Sequence, residues 1–147
     1  MKRLLTLALC LVMAITMCVT FASCTKKPVE ADLWKTATYA NDTELGEGST
    51  LITVALTVED KTVTFTLHTN KKTLGDALME HKLIAGEKGP YGMYVKNVNG
   101  IEADYDKTKT YWGFNKDGES MLTGVDSEKI ANGNKYEIIY TKEGNAK

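Results

Sequence analysis

The stretch Ile52-Thr53-Val54-Ala55-Leu56-Thr57-Val58, interrupted by Glu59-Asp60 and resumed as Thr62-Val63-Thr64-Phe65-Thr66-Leu67-His68, decides the fold. Apolar residues alternate with threonine at period two, the pattern of a strand with one buried face. The short polar break predicts a hairpin. The period then changes. Thr73, with Asp76 three residues on, reads as a helix N-cap, and Leu74, Ala77, Leu78 and His81 fall on one helical face. That helix is expected to run about three turns and to fade before Gly86, since Gly89-Pro90 forbids its continuation. So short a helix needs a sheet to pack on.

Toward the C-terminus, turn residues set the organisation. Asn99-Gly100 lies between Val98 and Ile101, and Asp117-Gly118 follows Tyr111-Trp112-Gly113-Phe114. Both dipeptides suit a type I′ turn, which needs positive φ at its two central residues. Asn132-Gly133 precedes a last strand in which Tyr136, Ile138 and Tyr140 share a face. Hairpin, helix, then short strands is an α+β order. It predicts a β-grasp (ubiquitin-like) mixed sheet with one packed helix. Residues 25–48 show no period and read as a tether, although Trp34 and Tyr39 are heavy for a linker.

The N-terminus reads as an address. Met1-Lys2-Arg3 is a positive start, Leu4 to Phe21 an uncharged apolar run, and Ala22-Ser23 a small-residue step into Cys24. Such a series describes an export signal, and Phe21-Ala22-Ser23-Cys24 resembles the bacterial lipobox, whose cysteine carries the lipid. The expected organisation is a lipoprotein signal peptide over 1–23 with Cys24 lipidated and extracytoplasmic at the cell membrane. An uncleaved membrane anchor is the alternative, and it too leaves Thr25 onward on the outer face. Cys10 and Cys18 would depart with the peptide, leaving no disulfide. Two acyl chains suffice for stable anchoring.

Composition excludes several classes. The 147 residues carry 18 basic and 19 acidic side chains, a formal charge of −1 that becomes −3 once Lys2 and Arg3 are removed. No basic excess draws the chain to nucleic acid. Three cysteines and two histidines do not build a zinc ribbon. No G-x-S-x-G elbow and no phosphate-cradling glycine loop occur, so an enzyme is the weakest class. His68 and His81 lack a ligand partner at metal spacing and read as surface or structural. Glu102, Asp104 and Asp106 resemble the start of a calcium loop, but the sixth and twelfth positions are Lys107 and Gly113, where an EF-hand needs Gly and Glu. Their alternation reads as a solvated strand edge.

The aromatics are the most informative feature. Tyr91, Tyr94, Tyr105, Tyr111, Trp112 and Phe114 fall within twenty-four residues. A small domain cannot hide all six, and exposed Tyr and Trp beside Gly and Asn turns make recognition surfaces. The competing reading is that most are ordinary core and sheet-face residues.

A family resemblance joins these pieces. Its residues are Leu33-Trp34, Ala37-Thr38-Tyr39, Leu45-Gly46-Glu47-Gly48, Thr73-Leu74-Gly75-Asp76-Ala77-Leu78, Tyr91-Gly92-Met93-Tyr94-Val95 and Val98-Asn99-Gly100-Ile101. Ala103-Asp104-Tyr105-Asp106, Tyr111-Trp112, Thr123-Gly124-Val125-Asp126 and a Tyr-rich last strand complete the series. Together they resemble the transcobalamin C-terminal-like domain of bacterial lipoproteins, a domain of unknown function. The resemblance implies a domain over 33–142, with a tether reduced to 24–32 and a tail at 143–147. It implies a β-grasp-like fold and a site like that of transcobalamin and intrinsic factor, where the equivalent domain contacts one face of cobalamin. An α-helical barrel, which this sequence does not contain, supplies the other half there. The expected function is thus a lipid-anchored ligand-binding module, not an enzyme, requiring no cofactor, with cobalamin or a similar flat corrinoid as the candidate ligand. Tyr91, Tyr94, Tyr111, Trp112 and Phe114 would form its aromatic wall. The alternative partner is a surface or transport protein rather than a small molecule.

Overall fold

The computed structural model describes residues 32–144. The expected signal peptide over 1–23 and the expected lipidation site Cys24 lie outside the described residues. At the centre, β2 (Thr50–Val58) and β3 (Lys61–Thr69) pair antiparallel in full register, from Thr50 opposite Thr69 to Val58 opposite Lys61. The period-two pattern sends Ile52, Val54, Leu56 and Val58 inward at 0% exposure, with Val63, Phe65 and Leu67 beside them. The threonines stay on the open face, where Thr57 and Thr62 share a hydrogen bond of 2.9 Å.

Helix α1 (Leu74–Glu80) covers that apolar face with Leu74, Ala77 and Leu78, all fully buried. The Thr73 hydroxyl accepts from Asp76 N at 3.3 Å, the capping bond the sequence predicts. The helix is shorter than expected, two turns rather than three. It ends at His81, and Ile84–Gly89 is not helix but strand β4. Glycines 86 and 89 lower helix propensity, and pairing with β5 (Gly92–Val98) takes the segment instead, with a bulge between Ala85 and Gly86.

Two sheets form, where the sequence reading expected one. The six-stranded mixed sheet runs β1-β3-β2-β9-β7-β8, where β1 is Thr43–Gly46, β7 Thr110–Lys116, β8 Glu119–Ser120 and β9 Lys135–Lys142. Strands β2 and β9 are parallel at its centre. The smaller sheet, β4-β5-β6 with β6 at Ile101–Glu102, is antiparallel. A mixed sheet with a helix across one face is β-grasp-like. Both predicted turns carry positive φ at their two central residues, Asn99 and Gly100, then Asp117 and Gly118.

The segment 33–48, aperiodic in sequence, is built into this structure. Leu33–Thr36 is a 3₁₀ turn, and β1 pairs parallel with β3. The Trp34 indole N–H donates to the Val58 carbonyl at 3.4 Å, and Lys61 Nζ lies 4.3 Å over its ring. Tyr39 meets Phe65 edge-on at 5.9 Å. Asn99, 0% exposed, staples this segment down. Its amide donates to the Tyr39 carbonyl at 2.8 Å and its Oδ1 accepts from Tyr39 N at 2.9 Å. A Cβ on Gly100 would strike the Thr36 carbonyl, so that turn serves the docking as well as the hairpin.

The acidic series is also corrected. Only Glu102 is in a strand; Asp104 caps helix α2 (Tyr105–Thr108), its Oδ1 accepting from Asp106 N and Lys107 N at 3.0 and 3.1 Å. A cap satisfies the orphan donors of a first turn, which wins over the extended alternation. Those bonds and the Lys107 ammonium, 2.8 Å away, hold the Asp104 carboxyl below its ordinary range, the Lys107 side chain contributing most.

Candidate functional site

Where β7 passes β5, a cleft of about 480 Å³ opens between the two sheets. Met93, Tyr94 and Val95 come from β5, Tyr111, Trp112 and Phe114 from β7, Tyr105 from α2 and Val125 from the loop after β8. Val95, Trp112 and Val125 are buried and form its floor, while Tyr94 and Tyr105 stand half exposed at its edge. The Trp112 indole N–H donates to the Lys96 carbonyl at 3.3 Å, tying β7 to β5, and its ring meets Tyr140 edge-on at 5.2 Å. The floor is therefore fixed in place.

The edge is tethered too. The Tyr105 hydroxyl donates to Glu143 Oε1 at 2.9 Å, a bond that raises the phenol above its ordinary range. Val125 is placed by the start of α1. Two backbone donors of the first helical turn, Leu74 N and Gly75 N, bond the carbonyls of Glu128 and Val125 at 2.9 and 2.7 Å. Glu128 then anchors the loop to the sheet, accepting from Lys116 Nζ at 2.6 Å and from the Thr123 hydroxyl at 3.0 Å. Its carboxyl is held low chiefly by Lys116, whereas burial and Glu128 push the Tyr136 phenol far above its ordinary range.

Four of the five residues proposed from the sequence, Tyr94, Tyr111, Trp112 and Phe114, line this one cleft. Tyr91 does not: it stands 98% exposed at the β4–β5 turn, because Gly89-Pro90 and Gly92 carry the backbone out beyond the sheet. Met93, Val95, Tyr105 and Val125 complete the lining, and the sequence reading did not select them. Tyr105 was within the aromatic group; Val125 had no signal besides its place in Thr123-Gly124-Val125-Asp126.

The histidines are structural or surface groups. His68 Nε2 lies 2.7 Å from Glu44 Oε1 on the open face. His81 is the C-cap of α1, against Gly46, and its buried Nε2 has no hydrogen-bond partner. Among the described residues, no three His, Cys, Asp or Glu side chains converge to hold a metal, and no helix is long and apolar enough to cross a membrane.

Comparison with known proteins places the fold. No curated protein matches the chain. A crystal structure from Ruminococcus gnavus ATCC 29149, described as a proposed metal binding protein, is 29% identical over 64% of this chain and 98% of its own, with a TM-score of 0.61. Haptocorrin in complex with Cbi superposes with a TM-score of 0.55 at 19% identity. That match covers 67% of this chain but 26% of haptocorrin, so the similarity is to one part of that carrier. Its identity makes it a statement about fold. Residues 71–142, which run from the helix through the cleft to the last strand, match the family described as Domain of unknown function (DUF4430).

Proposed function

We propose that this chain is an extracytoplasmic ligand-binding module, held at the membrane through a lipid on Cys24, whose ligand is a corrinoid or a similar flat, amphipathic molecule. The observation that carries the reading is the cleft itself. It is apolar and aromatic, of a volume ordinary for small-molecule sites. Its floor is rigid, so aromatic contact costs little ordering entropy. Tyr94, Tyr111, Trp112 and Phe114 would contact the ligand, with Tyr91 reaching it only from the neighbouring turn. An open cleft covers one face of a flat ligand, which agrees with the fold shared with one part of haptocorrin. No metal or other cofactor is required for such binding.

The test is a titration of the full chain in detergent with cobalamin and with cobinamide, followed by visible spectrum and retention on ultrafiltration. Saturable retention lost in Tyr94→Ala supports the reading; no retention well above micromolar ligand overturns it. Replacing Cys24 by serine should abolish lipid labelling and release the chain from membranes.

A second reading is favoured by one observation. Tyr91 and Leu122 are 98% and 99% exposed, outside the cleft, and a protein partner would bury them. Loss of a partner on Tyr91→Ala, with the cleft variants unaffected, would select that reading.

A further inference from the structure

Asp126 sits one residue beyond the cleft wall at Val125, and only half of its carboxylate is accounted for. Oδ2 accepts from Met93 N at 3.0 Å. Oδ1 is buried and has no hydrogen-bond partner. The ion pairs of His68, Lys71, His81, Lys96, Lys107 and Lys116 all go to other carboxylates. A carboxylate oxygen removed from water normally has a donor or a cation as its partner.

Two glycines bring their backbones close to this oxygen. A Cβ on Gly92 would lie 2.9 Å from Oδ1. A Cβ on Gly124 would lie 3.1 Å from Oδ1 and 3.6 Å from the backbone carbonyl oxygen of Tyr91. The missing side chain of Gly124 therefore leaves a small cradle faced by two oxygens, one of them charged. The other polar groups of the turn are engaged: the Gly124 carbonyl accepts from Ser127 N and Glu128 N at 3.0 and 3.1 Å. Two acceptors facing one space suit a species that offers only positive charge or donors. A water molecule would satisfy both oxygens but leave the carboxylate charge unbalanced. A hard divalent cation balances it, and a carboxylate with a backbone carbonyl is the ligand chemistry of calcium, whose further positions are commonly taken by water. Carboxylate and carbonyl oxygens are hard donors, which suit calcium better than softer metals.

We propose that Asp126 Oδ1 and the Tyr91 carbonyl oxygen are protein ligands of a calcium ion seated at Gly124. With so few protein ligands the affinity is expected to be weak, in the range of about 10⁻⁴ to 10⁻³ M typical of extracellular modules. The ion would pin the β4–β5 turn to the loop carrying Val125, and so stiffen one wall of the cleft.

The test is calcium titration of the full chain in detergent by calorimetry, with terbium as a luminescent substitute sensitised by Tyr91. One bound ion per chain is expected, with a calcium-dependent rise in melting temperature that magnesium does not reproduce. Asp126→Asn should weaken binding by about tenfold or more. Should that variant fail to fold, Gly124→Ala fills the cradle and is expected to lose terbium luminescence while keeping the wild-type circular dichroism. Absence of heat, luminescence and thermal shift up to about 10 mM calcium, ten times the weak end of that range, overturns the proposal. Wild-type affinity in a folded Asp126→Asn or Gly124→Ala variant does so as well. A bound water gives none of these signals and counts with the negative result.

Discussion

Phe65 and Phe114 are the same residue on two strands of one sheet, and they end in opposite conditions. Phe65 is 1% exposed beneath α1 and beside Tyr39, whereas Phe114 is only partly buried and lines an open cleft. The difference lies in what covers the strand rather than in the strand. Over β2 and β3 a helix, a 3₁₀ turn and the stapled segment around Tyr39 close the face. Over β5 and β7 only α2 and the loop carrying Val125 reach the edge, and Tyr94, Tyr111 and Phe114 are left partly exposed in the cleft. Burial on one side supplies the stability that exposure on the other forgoes.

The sharpest way to break this comparison is to truncate the closed side. Phe65→Ala is expected to cost about 3–5 kcal/mol, the range for emptying a large core site. Denaturant unfolding monitored by circular dichroism would show it as a lower midpoint. A loss under ~1 kcal/mol, the range of surface changes and mild substitutions, would mean the closed half is not the stabilising half.

Next in size is the staple. Asn99→Ala removes both bonds to Tyr39 and places alanine at a φ of 53°. Orphaning a buried donor and acceptor is expected to cost about 2–3 kcal/mol. Hydrogen exchange should report faster opening at Thr38 and Tyr39, with the β2–β3 hairpin less affected. Uniform loss of protection would show that the N-terminal segment is not a separable cover.

On the cleft side the largest stability effect is expected at Glu128, which holds the Val125 loop. Glu128→Gln should cost about 1 kcal/mol near neutral pH, since Lys116 is partly exposed and the pair is screened. The sign with pH follows from the lowered carboxyl. A folded-state pKa below the unfolded value adds stability that is complete above the ordinary glutamate range, about 4.3. That stability is lost as pH falls through the depressed folded value. The wild type should therefore converge on Glu128→Gln as unfolding is followed from pH 7 to below 4; a gap that stays constant would remove the ion pair from the account.

Period and turn chemistry made the central hairpin, α1 and both type I′ turns legible, because each depends on neighbours in sequence. The cover was not legible from period or turn chemistry. Strand β1 has four residues and gains its place only by pairing with β3, twenty-two positions away from Thr43. Asn99 looked like a turn residue, and its bonds to Tyr39 are long-range. The cleft was half legible for the same reason: crowded aromatics can be seen in sequence, but Met93 and Val125 join them only through tertiary packing, and Tyr91 is turned away by the glycines around it. Asp104 shows the reverse case, where a local cap overrode an alternating pattern.

The smallest expected effect on stability is the most informative about function. Tyr94 is 46% exposed, and its hydroxyl has no hydrogen bond to the described residues. Tyr94→Ala should therefore shift the unfolding free energy by no more than ~0.5 kcal/mol, as expected of a surface residue. Trp112→Ala cannot serve this purpose, since that ring is floor and its loss empties a core site as well as a contact surface. If the open side exists to contact a flat ligand, Tyr94→Ala should weaken cobinamide or cobalamin retention by about tenfold, one aromatic contact being worth roughly a kcal/mol or more. A stability cost like that of Phe65→Ala would place Tyr94 with the closed half, and the contrast between the two regions would no longer hold. Unchanged stability with unchanged retention would keep the contrast and move the contact surface outward, to Tyr91 and Leu122.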